Sequence, residues 1–204
     1  MNTKDKILDR ALKMFNERGI EYVGLRELAG ELNIRVGNIT YYFPTKDDLV
    51  LAIAQELTGR NSKVLVEDAA ITMKGFLQML SSAYENHYEF RGLLRSFVHV
   101  MTQNKLILAS YSKVKKTRRS TISASIQHLV SNGYLNIADE ETLDFLVSNL
   151  ELISRYWISE TAVFYQDLKK QQQINQYLLM VCNLLLPYST AKGKKESNIF
   201  RSEL

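Results

Sequence analysis

Between residues 24 and 46 two short apolar periodicities flank a two-residue turn, a spacing that only a pair of tightly connected helices satisfies. Leu25, Leu28, Ala29 and Leu32 recur at i, i+3, i+4 and i+7, so residues 25–32 form a short helix with one apolar face. Gly24 stands at its N-cap with Glu27 three places on, an incomplete capping box. Asn33-Ile34 is the turn, and asparagine tolerates the left-handed backbone that a tight turn needs. A second helix is predicted over residues 35–43. Val36, Ile39 and Phe43 point inward; Arg35, Asn38, Tyr41 and Tyr42 project from other sides. Gly37 costs roughly 1 kcal/mol of helix propensity against alanine, so its reason is a backbone that a partner approaches closely. Pro44 ends the helix. Thr45 caps the next one, Asp48 occupies the box position, and Lys46 lies at a helix start, where the dipole favours phosphate. This is a helix-turn-helix, a unit that lays its second helix in the DNA major groove.

The rest of the chain is read as all-α. Hydrophobic residues make up 46% of the 204, and both prolines, Pro44 and Pro187, sit at helix boundaries. Helices are predicted over residues 3–18 (Thr3 as cap), 45–66, 72–88, 90–101, 105–131, 140–165 and 168–186, with Gly19 and Gly133 as stops and Asp139 as a cap. Residues 189–204 read as a polar, basic, frayed tail.

The net charge of +4 mildly favours a polyanionic partner. Residues 1–60 hold as many acids as bases, so the relevant basicity is local: residues 33–46 carry Arg35 and Lys46 and no acid. Lys105, Lys113, Lys115, Lys116, Arg118 and Arg119 form a second cationic run, read as a solvated face, with an anionic effector or steering toward DNA as the sharper alternative.

Several classes of function are excluded. No GxSxG, GxGxxG, P-loop, HExxH or paired-cysteine motif occurs, so the chain is not read as an enzyme and no cofactor is expected. His87, His99 and His128 are isolated, so no metal is expected. Cys182, alone in the chain, forms no intrachain disulfide and reads as a small buried hydrophobe. The charged N-terminal segment does not read as a signal peptide. No apolar stretch approaches the ~20 residues of a membrane span, so a cytoplasmic protein without a membrane partner is expected.

Ile7-Leu8, Ala11-Leu12, Phe15, Gly19, Arg26-Glu27-Leu28-Ala29, Gly37, Tyr42-Phe43, Lys46 and Leu49, spread over residues 3–55, resemble the TetR/AcrR family of bacterial transcriptional regulators. Arg35, Val36 and Thr40 depart from the residue types common at those positions, as does the Gly24 cap. The resemblance implies a three-helix head (residues 1–46), a larger helical body for effector binding and dimerisation (47–188) and a flexible basic tail (189–204). Arg35, Val36, Gly37, Asn38, Thr40, Tyr41, Tyr42 and Lys46 are then the expected DNA-binding residues. Tyr41, Tyr42 and Lys46 best fit the family's phosphate contacts.

An effector pocket is expected among Tyr84, His87, Tyr88, Phe97, Met101, Tyr111, Tyr156 and Trp157, residues that an ordinary core would use equally well. A homodimer is expected through the stripes Leu146, Leu150, Ile153, Trp157 and Ile174, Tyr177, Val181, Leu184. The function implied is a ligand-responsive repressor bound as a homodimer to a pseudo-palindromic operator and released by a small-molecule effector. The alternative is a helix-turn-helix factor controlled by a protein partner, with no small ligand.

Overall fold

The computed structural model describes residues 2–204. Eleven α-helices account for the regular structure among them: α1 (Thr3–Arg18), α2 (Leu25–Glu31), α3 (Val36–Tyr42), α4 (Lys46–Val64), α5 (Met73–Glu89), α6 (Arg91–Arg95), α7 (Phe97–Gln103), α8 (Lys105–Ser131), α9 (Glu140–Phe164), α10 (Lys170–Leu185) and α11 (Ala191–Ser202). A 3-10 turn, Leu186–Tyr188, carries Pro187 and closes α10. One isolated antiparallel bridge joins Leu135 to Ser189. No described helix is long and apolar enough to cross a membrane.

The punctuation residues act as their chemistry dictates. Asn33, in the α2–α3 turn, is the non-glycine residue with positive φ, +53°, among the described residues. Thr45 and Asp48 close a reciprocal box: Thr45 Oγ1 accepts from the Asp48 amide at 3.2 Å, and Asp48 Oδ2 accepts from the Thr45 amide at 2.9 Å. Asp139 caps α9 by accepting from the Thr142 amide at 2.7 Å. The cap of α1 is Asn2 rather than Thr3, accepting from the Asp5 amide at 2.9 Å.

Two elements differ from expectation. Residues 90–101 form two helices rather than one, because Ser96 leaves helical geometry and donates its hydroxyl to the Glu21 carboxylate at 2.9 Å. Residues 189–204 are not a frayed tail. Thr190 caps α11 by accepting from the Gly193 amide at 3.1 Å, and Gly193, Ser197 and Phe200 are buried. A Cβ at Gly193 would lie 2.1 Å from the Tyr134 carbonyl oxygen, so glycine is what lets α11 dock there.

The chain divides into two compact units. The first comprises the chain up to Arg60 with Glu89–Lys113; the second comprises Asn61–Tyr88 with Val114–Leu204. In the first, Ile7, Ala11, Phe15, Leu28, Ile39, Phe43, Leu49 and Ile53 join Phe90, Leu93, Val100 and Ile107 in one core. The seam between α1 and α6 is fixed by Asn16: its Nδ2 donates to the Glu89 carbonyl at 2.7 Å, and its Oδ1 accepts from the Gly92 amide at 2.8 Å.

In the second unit Tyr84, Trp157, Leu146, Leu150, Ile174, Leu178 and Val181 are fully buried. Arg119, expected on a solvated cationic face, instead reaches α9. It pairs with Asp144 and donates to Glu151 at 2.7 Å; the Glu151 side chain is 7% exposed. Those bonds hold the Arg119 guanidinium above its ordinary pKa range.

Candidate nucleic-acid interface and helical body

The head is built so that α3 is held from below and bare above. Ile39 and Phe43 are buried beneath it. Arg18 pairs with Glu27 at 2.5 Å, and Arg10 pairs with Glu31. Both ion pairs tie α2 to α1 and occupy acids that would otherwise repel a polyanion.

The expected DNA-binding residues come together on the outer side of α3. Arg35 stands at the N-cap position, exposed and without a capping side-chain bond. Asn38 is exposed, and Tyr41 is 80% exposed, with its ring edge-on to Tyr42 at a centroid distance of 4.9 Å. No atom lies within 4 Å of where a Gly37 Cβ would be, so nothing inside the chain requires a glycine there.

Val36 departs from the inward direction expected of it. It is 39% exposed, because Ile39 and Phe43 already cover the underside of the helix. Thr40 is half-buried, its hydroxyl donating to the Gly37 carbonyl at 3.4 Å.

Lys46 sits at the start of α4, half-buried, its Nζ donating to the Glu21 carbonyl at 3.4 Å. Burial lowers its pKa, with Glu21 and Asp47 opposing. The ammonium is therefore tethered to the segment between α1 and α2 rather than swinging freely. One cation escaped the sequence reading: Lys4 Nζ lies 5.9 Å from the Phe43 ring centroid, beside the C-terminal end of α3. No local periodicity links residues so far apart in sequence.

The body candidates separate into different surroundings. Tyr84, His87 and Trp157 are buried together in the second unit: Tyr84 stacks on Trp157 at 5.2 Å and on His87 at 5.9 Å. Trp157 Nε1 donates to His87 Nδ1 at 3.3 Å, and Asn61 Nδ2 lies 3.2 Å from His87 Nε2. Burial, with Arg118 adding to it, pushes the His87 imidazole down to about 3, so it is neutral. Tyr88 lies under the Lys170 ammonium at 5.4 Å. Phe97, Met101 and Tyr111 belong instead to the first unit, where Phe97 and Tyr111 meet edge-on at 5.0 Å.

The residues of the expected dimer stripes differ in burial within the single chain. Leu146, Leu150, Trp157, Ile174, Tyr177 and Val181 are all buried within a single chain, and Ile153 and Leu184 are half-buried. The core of the second unit uses most of that stripe of each helix, with Ile153 and Leu184 at its half-covered edge. A second stripe on α9 faces outward: Phe145, Leu152, Tyr156 and Val163, exposed by 40 to 64%. Tyr156, one of the expected pocket residues, lies on this exposed stripe. On α10 the outward face is Gln172, Asn175, Gln176, Leu179, Met180 and Asn183, which line an open groove of about 600 Å³. The seven- and four-residue spacing on α9 was visible in the sequence; which of its two stripes faces outward was not.

Comparison with known proteins agrees with this architecture. Residues 7–53 match the family described as "Bacterial regulatory proteins, tetR family", and residues 60–196 match "TetR: Bacterial transcriptional repressor". The "Probable HTH-type transcriptional regulator YttP" of Bacillus subtilis (strain 168) is 27% identical over 113 residues, 53% of this chain and 55% of that protein. The "HTH-type transcriptional repressor AcnR" of Corynebacterium glutamicum is 32% identical over 78 residues, 38% of this chain and 42% of that one. The matched region thus spans about half the length of these relatives. A TetR-family regulator from Marinobacter aquaeolei VT8 has the same fold, with a TM-score of 0.91 at 22% identity over 100% of this chain and 98% of that one. These relatives are regulators of transcription and not enzymes, and the chain belongs to the TetR family of bacterial transcriptional regulators.

Proposed function

We propose that this protein is a ligand-responsive repressor that binds a pseudo-palindromic operator as a homodimer in the bacterial cytoplasm. The observation that carries the reading is the outer side of α3. Arg35, Asn38, Tyr41 and Tyr42 are exposed around a glycine with empty space above it, and no acid lies between Asn33 and Lys46. Arg35 and Asn38 have the chemistry to read base edges; Tyr41, Tyr42 and Lys46 have the chemistry to hold phosphates.

The proposed dimer uses the outward stripe of α9 together with the Leu179–Met180 groove of α10, apolar surface that one chain leaves uncovered. Two-fold symmetry then places two α3 helices about one DNA turn apart, ~34 Å. The proposed effector site lies in the second unit around Tyr84, His87, Tyr88 and Trp157, aromatic side chains with polar edges. Effector binding shifts the population toward a state that does not hold DNA.

The test is a binding titration at about physiological salt, using DNA from upstream of the chain's own coding region with excess non-specific competitor, followed by footprinting. Saturable binding over two half-sites, relieved by a compound that raises thermal stability, is the expected result. Sequence-specific binding by a protein that no small molecule stabilises, co-purifying with another protein, overturns the effector in favour of a protein partner. Binding no tighter than to the competitor overturns operator recognition at this site.

A further inference from the structure

The exposed side of α3 carries two chemically different flanks. A helix turns about 100° per residue, so Val36 and Thr40 share one flank, Arg35, Asn38 and Tyr42 share the other, and Gly37 and Tyr41 lie between them. The second flank is made of hydrogen-bonding groups. The first offers methyl groups. Val36 is 39% exposed although apolar, and the half-buried Thr40 turns its hydroxyl back to the Gly37 carbonyl at 3.4 Å, which leaves the γ-methyl as its group without a polar partner. Gly37, beside both, adds no side chain and has open space around it.

An isolated apolar surface on a helix that otherwise presents amide, phenol and guanidinium groups needs an apolar partner. In the major groove the bases offer one, the 5-methyl group of thymine. We propose that Val36, with the Thr40 methyl beside it, reads a thymine 5-methyl group in each half-site. Val36 is then a specificity-determining residue rather than part of the helix's inner face. The inference rests on the DNA-reading function proposed above and names the base chemistry that this face selects.

The experiment selects a preferred sequence from a randomised duplex pool with the full-length protein. Each thymine of that sequence is then replaced by deoxyuridine, which removes the methyl group and leaves base pairing intact. For the wild type, at least one thymine per half-site loses about fourfold in affinity on methyl removal, the value of one buried methyl-sized group. For Val36→Ala the same replacement costs markedly less, because only the Thr40 methyl remains beside the base. The substitution lies on the surface, so an unchanged unfolding midpoint confirms that the fold is intact. A wild type that binds its selected sequence yet shows no deoxyuridine-sensitive position, or a methyl cost that is undiminished in Val36→Ala, overturns this inference and leaves DNA reading standing. A wild type that enriches no sequence overturns the DNA-reading function, and this inference with it.

Discussion

Gly92 lies so close to the end of α1 that a Cβ there would stand 2.3 Å from the Phe15 carbonyl oxygen. No flexible side-chain end intervenes; the obstacle is backbone. Gly92→Ala therefore forces α6 away from α1 and breaks the pair of bonds through which Asn16 holds Glu89 and Gly92. Overpacking of this kind costs about 1–3 kcal/mol, and Asn16→Ala costs a similar amount by leaving backbone groups unpaired. Urea denaturation measures both. A Gly92→Ala midpoint equal to that of the wild type contradicts the tight seam.

Gly37 makes the opposite prediction. With nothing near its missing Cβ, Gly37→Ala stabilises the fold by about 0.5–1 kcal/mol through helix propensity. The same methyl obstructs close approach of DNA, so operator affinity falls. A variant that is both more stable and tighter binding shows that the glycine is not there for a partner.

Lys46, four residues past the end of α3, is held by the Glu21 carbonyl. Lys46→Ala weakens binding about equally on every DNA sequence and reduces the slope of log affinity against log salt by about one. Titrations of specific and random duplexes at three salt concentrations test this. A loss confined to the specific duplex assigns Lys46 a base contact instead.

His87 makes stability depend on pH. It is neutral in the folded protein, with a pKa near 3, and takes up a proton below about 6.5 once unfolded. Between those values the unfolded state binds more protons. Its contribution is fully present above pH 6.5 and falls by about 1.4 kcal/mol for each unit of acidification toward pH 3. The difference in unfolding free energy between wild type and His87→Asn therefore narrows from pH 7 to pH 5. A difference independent of pH refutes the buried neutral imidazole.

The head was legible in the sequence because its determinants are local. Four apolar residues on one turn-to-turn spacing, Asn33 at positive φ, and the Thr45–Asp48 box each act within a few residues. Val36 was misplaced because hydrophobicity alone assigned it inward, whereas the neighbours that fill the underside, Ile39 and Phe43, left it outside. On α9 two apolar stripes compete for the interior, and tertiary packing chose Leu146, Leu150 and Trp157 over Phe145, Leu152 and Val163. Helix α11 was missed because Phe200 is the one large apolar residue that it buries. Its docking depends on a glycine fitting the Tyr134 carbonyl, a fit that no periodicity encodes.

The chain's single thiol lies under that last helix. Cys182 is 1% exposed on α10, and burial raises its pKa, with Ser197 and Arg201 of α11 opposing. A disulfide reagent therefore finds no thiolate in the closed protein and reacts only when this corner opens. The natural sequence thus carries its own chemical clock: the labelling rate of native protein counts the separations of α11 from α10, with and without DNA, and needs no engineered probe.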